Sequence, residues 1–217
     1  MTDNEILQLI HKEFQQKDLA VTKMYLEIHD PVYENGFPKV ERIDRSKGDP
    51  VITYIPVQDE YFLFAVYLDE VSGSIYSINT LSRNSVSFVA TSDQLSSAQL
   101  SSLIKLKVDK TWDKGDSKFK NKNSAVHKSS GIDIEPDPGP DEFENKLKKL
   151  LHYLHDDIGG VHALVKKANA TICVTMDFHA GNQHIGSTFI DLECIKMMSD
   201  LNLEISFDLW AWGKAFT

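Results

Sequence analysis

The chain has 217 residues, of which 41% are apolar and 25% charged, with a net charge of −9. That length supports one large domain or two small ones around a packed core. No stretch approaches the roughly 20 apolar residues of a membrane span. An acidic surface repels nucleic acid and anionic lipid, so neither is expected as a partner.

The start, Met1-Thr2-Asp3-Asn4-Glu5, is acidic and lacks the basic region and apolar run of a secretory signal. A soluble, cytoplasmic protein is therefore expected, with Cys173 and Cys194 as reduced thiols rather than a disulfide.

Thr2 and Glu5 have capping-box spacing, and Ile6, Leu7, Leu9, Ile10 and Phe14 form an apolar stripe, which predicts a first helix. Alternation of Met24, Leu26 and Ile28 with Lys23, Tyr25 and Glu27 predicts a strand over 21–28. Residues 30–49 are turn-rich. Strands are expected at 51–57, 61–68 and 74–79, with a hairpin turn at 69–73 in which Gly73 takes positive φ.

A second unit is expected from about residue 83. Val86, Phe88 and Ala90 form one face of a strand, and Ser92 or Asp93 can cap a helix carrying Leu95, Leu100, Leu103 and Ile104. A strand over 108–112 leads to a lysine-rich stretch, 114–128, expected to be a mobile loop or an edge strand. Residues 126–134 return to the sheet. Pro136, Pro138 and Pro140 then forbid helix and ladder alike.

Asp141 opens a helix with Glu144 at its third position. Phe143, Leu147, Leu150, Leu151 and Leu154 are expected buried, and Lys146, Lys148 and Lys149 wet. Gly159-Gly160 interrupts it before a second helix through Val161, Leu164, Val165 and Ala168. A strand (170–178), a loop (181–186), a helix with Leu192, Ile195, Met198 and Leu201, and a strand (203–212) complete the chain. Two short internal similarities read as coincidence. A helix and then a strand ending in tryptophan occurs at 95–112 and 192–212, and Lys47-Gly48-Asp49 recurs as Lys114-Gly115-Asp116. The fold class is α+β, with a helix-plus-meander unit at 1–82 and an α+β unit at 83–217.

The last strand carries the most suggestive pattern. If Ile205, Phe207, Leu209 and Ala211 face the core, then Asp208, Trp210 and Trp212 share the other face. Two indoles on a polar face suit a partner contact, and packing beneath the N-terminal unit is the alternative. Asp156 and Asp157 add an acidic pair that would suit a cationic partner.

The eight histidines, among them His152, His155, His162, His179 and His184, form no metal motif, and no HExxH or paired CxxC is present. There is no nucleophile elbow and no phosphate loop, so no catalytic residue, cofactor or metal is expected. Residues 105–128 hold eight lysines against three aspartates, but only Trp112 and Phe119 are there to stack on bases, and a solvated loop is the simpler reading.

The second unit resembles a bacterial family known as domain of unknown function 4279. The resemblance is carried by Trp112-Asp113-Lys114-Gly115-Asp116, by Ser129-Ser130-Gly131, by the helix over 143–155, and by Leu201-Asn202-Leu203-Glu204-Ile205-Ser206-Phe207-Asp208-Leu209-Trp210. Trp210 stands where the family often shows a Tyr shortly after an Asp. The match covers about 83–217 and leaves the first 80 residues outside it.

The resemblance implies a ferredoxin-like sheet-and-helix layout and no known activity. Related proteins are often encoded beside polymorphic toxin systems, which implies an immunity role. The expected function is therefore a non-enzymatic protein-binding protein that neutralises a cognate toxin, such as a cationic nuclease. The alternatives are a homo-oligomeric adaptor that pairs through sheet edges and a small-molecule-binding domain.

Overall fold

Thr2 starts the first helix as its spacing dictates. Its hydroxyl accepts from Glu5 N, and the Glu5 carboxylate accepts from Thr2 N at 2.7 Å. In this computed structural model, which describes residues 1–46, 48–118, 125–182 and 187–214, α1 spans Asp3–Gln16. Ile6, Ile10 and Phe14 are its buried stripe, each side chain contributing roughly 2 kcal/mol by burial.

The strand expected over 21–28 is instead a helix, α2 (Ala20–Tyr25). The alternation there is overridden by Glu13. Its carboxylate accepts from Leu19 N at 3.1 Å and from the Thr22 hydroxyl at 2.5 Å, satisfying the helix entry where Leu19 has no side-chain cap of its own.

The turn-rich stretch contains β1 (Tyr33–Glu34) and β2 (Phe37–Pro38), paired antiparallel, and then β3 (Arg42–Asp44). The meander follows as β4 (Val51–Pro56), β5 (Leu63–Asp69) and β6 (Ser74–Leu81), giving an antiparallel sheet in the order β3-β4-β5-β6. Gly73 makes its turn at φ 65°, with Asp69 Oδ1 accepting from Val71 N and Ser72 N.

Both faces of this sheet are buried. Val51, Ile55, Phe64, Val66, Leu68 and Ile78 pack in one core with α1 and Tyr25. Ile52, Tyr54, Leu63 and Ala65 form a second cluster with Tyr67 and Leu81.

β7 (Arg83–Ser92) begins the second sheet and buries Val86, Phe88 and Ala90. Its following helix, α3 (Ser97–Ser101), is capped by Ser96 with Gln99 in a capping box, not by Ser92 or Asp93. Ser92 Oγ instead accepts from Gln94 N and Leu95 N, a local turn that delays the helix.

β8 (Lys110–Trp112) and β9 (Ser130–Ile134) pair antiparallel, and β9 pairs with β7. The flanks of the lysine-rich stretch also pair, through a Ser117–Val126 bridge and the 2.8 Å bond from Lys118 N to Ala125 O. Its centre, with Phe119, lies outside the described residues, as do Lys47 and His184.

α4 (Phe143–His155) has Glu142 as its N-cap residue, one position later than expected, and buries all five apolar residues of its stripe. Lys146 corrects the expectation of a wet lysine row. It is 1% exposed and its Nζ donates to Asp137 O at 2.7 Å. The carbonyl presented by the proline-rich turn solvates the ammonium, and burial still pulls its pKa down.

Gly159-Gly160 does not break helical structure. It lies in the first turn of α5 (Ile158–Lys167), capped by Asp157. A Cβ at Gly160 would meet the Asp157 carboxylate and Ile104 Cα, so the glycine makes room for its own cap.

β10 (Asn169–His179), α6 (Leu192–Asp200) and β11 (Glu204–Trp212) complete a sheet ordered β11-β10-β7-β9-β8. Numbered by appearance, β10-β7-β9-β8 is the 4-1-3-2 order of a split βαβ, or ferredoxin-like, arrangement, and β11 is appended at one edge. The fold is α+β, with mixed and antiparallel sheets.

Residues 1–83, 176–186 and 209–217 form one compact unit, and residues 84–175 and 187–208 the other. Among the described residues, no helix is long and apolar enough to cross a membrane.

Candidate functional site

β11 does not divide into a core face and a polar face. Phe207 and Leu209, expected in the core, are 37% and 56% exposed, and Trp210 and Trp212 are 51% and 38% exposed. Only Ile205 is half-buried. Side chains on both faces of β11 thus stay largely open to solvent. Phe207 keeps a ring contact with Phe143, at 5.5 Å between centroids.

Trp210 and Trp212 stack at 5.6 Å with 17° between their planes, as side chains two apart on one strand face can. Tyr61, 57% exposed, lies 5.2 Å from Trp212, and the Trp212 indole donates from Nε1 to Asp177 Oδ1 at 2.7 Å. Three aromatic side chains thus form one exposed cluster, with a carboxylate fixing the orientation of the last. The unit that carries it holds fifteen acidic and nine basic residues, net −6.

Asp208 is exposed on the same strand. Asp156 is exposed at the end of α4. Asp157 is committed to structure: its carboxylate accepts from Gly160 N at 3.1 Å and from Lys105 N at 2.6 Å. The two helix-end aspartates belong to one unit and the tryptophans to the other. Tyr61 and Asp177 went unnoticed in the sequence, where nothing local ties either to the final strand.

Close to the end of β11 lies a buried imidazole pair that sequence reading also missed. His29 Nε2 and His179 Nε2 are 2.8 Å apart, with both residues under 5% exposed. Lys214 O lies 2.8 Å from His179 Nε2, and Glu60 Oε1 lies 3.3 Å from His29 Nδ1. A carbonyl only accepts, so we assign the shared hydrogen to His179 Nε2 and the acceptor role to His29 Nε2. His29 then carries its own hydrogen on Nδ1, toward Glu60. The rings of Phe62 and Tyr25 close over the pair.

Burial, then the neighbouring His179 and Lys214 charges, lowers the His29 pKa to about 4, and burial raises that of Glu60. The pair ties β10 to the backbone just beyond β11.

The other reactive groups are held quiet. Cys173 and Cys194 are free thiols. Burial and Asp191 push Cys194 up to about 11, and burial raises Cys173. His152 donates from Nδ1 to Lys148 O, and His162 from Nε2 to Asp200 O. Among the described residues no group of three His, Cys, Asp or Glu converges to hold a metal. The hollow lined by Met1, Asn4, Glu5, Gln8, Leu9 and Gly73 is open, and its one carboxylate belongs to the cap of α1.

A ferredoxin-like α+β unit with an appended, aromatic-bearing edge strand is therefore the class that fold and site define. The chain belongs to the family described as domain of unknown function (DUF4279), whose model matches residues 80–212 and so takes in both tryptophans of β11. No curated protein and no solved structure matches significantly.

Proposed function

We propose that this chain is a non-enzymatic binding protein that captures a basic protein partner, and that it acts in the bacterial cytoplasm as an immunity protein against a cognate cationic toxin such as a nuclease. The exposed Tyr61–Trp212–Trp210 cluster on a unit of net charge −6 carries this reading. Aromatic anchors supply binding energy at the centre of interfaces, and the negative field accelerates encounter with a cationic protein.

The reading predicts a toxin-like gene immediately upstream, and the test is co-expression with that gene. Protection of the cells and a complex that survives gel filtration support the reading. Unprotected cells and no complex with that toxin defeat it.

A second reading rests on the open edge of β11, which suits a homo-oligomeric adaptor paired through sheet edges. It requires a dimer without ligand in sedimentation equilibrium, and a monomer at high concentration rules it out.

A further inference from the structure

Apart from the charges of Glu204 and Asp208, β11 lacks the devices that keep sheet edges from pairing. Edges are usually blunted by shortness, by lysine, by proline or by a bulge. β11 is nine residues long and contains no Lys, Pro or Gly. Eight of its nine residues are exposed. Among the described residues no strand pairs with its outer side. Among the described residues its outward N–H and C=O groups thus have no strand partner.

The charges on the strand select what can be added. Asp208, Trp210 and Trp212 recur at two-residue intervals, with Glu204 in the same series, so they project from one face. A second copy is disfavoured. The antiparallel register that pairs all nine residues sets Asp208 against Asp208 of the other copy, and like charges directly opposite destabilise. A strand with cations at every second position meets carboxylates and indoles instead. Arginine suits this face better than lysine, because its planar guanidinium stacks on aromatic rings and forks onto carboxylates.

We infer that β11 is a docking edge for strand addition, and that its occupant is an extended segment of a protein partner carrying arginine at alternate positions. This rests on the proposed capture of a basic partner and adds its mode: main-chain pairing with β11 and guanidinium stacking on Trp210 and Trp212.

The probe is the peptide acetyl-(Arg-Thr)5-amide, titrated calorimetrically into the full chain. Binding is expected, with at least tenfold loss for Trp210→Ala or Trp212→Ala and none detectable for the glutamate analogue. In a strand, alternate amides point to opposite edges. N-methylating either all Arg or all Thr nitrogens should therefore abolish binding with one set and spare it with the other.

Equal affinity of both N-methylated peptides and the parent overturns strand addition, and equal affinity of the glutamate analogue overturns the charge selection. A concentration-dependent dimer that excludes the peptide overturns the occupant. If the basic partner forms its complex while the peptide fails, the mode is wrong and the capture reading stands. If both fail, both are wrong.

Discussion

The two edges of the five-stranded sheet are finished in opposite ways. β8 has three residues, begins with Lys110 bonded to Asp133 at 3.3 Å, and ends in Trp112. That indole lies 5.1 Å from the His127 ring and directly over Gly131. β11 has nine residues, no lysine, and two tryptophans open to solvent. Each edge follows a helix and closes on tryptophan, yet one indole seals its edge and the other two leave theirs available. Composition alone does not separate these roles. What the ring rests on does.

Acidification should distinguish the edges most strongly, because only β11 ends beside a buried imidazole. The unfolded chain takes up a proton at the ordinary His29 value of 6.5, while the folded chain resists until about 4. The stability this contributes is complete above pH 6.5, drains as pH falls through that window, and is gone near pH 4, about 3 kcal/mol in all. His179, Lys214 and Asp30 also face His29. Glu60, whose pKa is raised, blunts the loss at the acid end. Urea unfolding at pH 7 and 4.5 should show a loss of about 2–3 kcal/mol. Hydrogen exchange should accelerate at 209–214 before 110–112, and simultaneous release of both edges would break the comparison.

Gly131→Ala should come next. The new Cβ collides with the Trp112 ring, and overpacking of this kind costs about 2 kcal/mol in urea unfolding. Binding at β11 should be untouched. Trp210→Ala should do the reverse, weakening capture of a basic partner about tenfold, or ~1.4 kcal/mol, with little change in stability. Lys110→Ala should be the smallest effect, about 0.5 kcal/mol, since exposed ion pairs contribute little. A larger loss would mean that β8 is held by charge rather than by Trp112.

Where the information was local, the sequence was legible. The capping box at Thr2, the turn at Gly73, the strands β4 to β6 and the buried stripe of α4 are written within a dozen residues each. The errors arose where a distant or neighbouring group took over. Glu13 turned an alternating segment into α2, Asp137 O drew Lys146 inward, and Asp157 made Gly159-Gly160 a helix start.

At the site, the alternation of β11 placed Trp210 and Trp212 side by side. It could not show Tyr61 and Asp177 beside them, because those contacts join chain segments with no shared pattern. The His29–His179 bond spans 150 positions and leaves no local trace.

The make-up of the first unit has a consequence for synthesis. Its beginning, residues 1–83, emerges from the ribosome long before its last pieces, residues 176–186 and 209–217. Until His179 arrives, His29 and Glu60 lack the partner that completes their network, and the nascent meander waits while residues 84–175 of the second unit are translated. Closure of this part thus waits on segments made well after it, and a ribosomal stall between them would leave unfinished a unit most of whose residues had already been made.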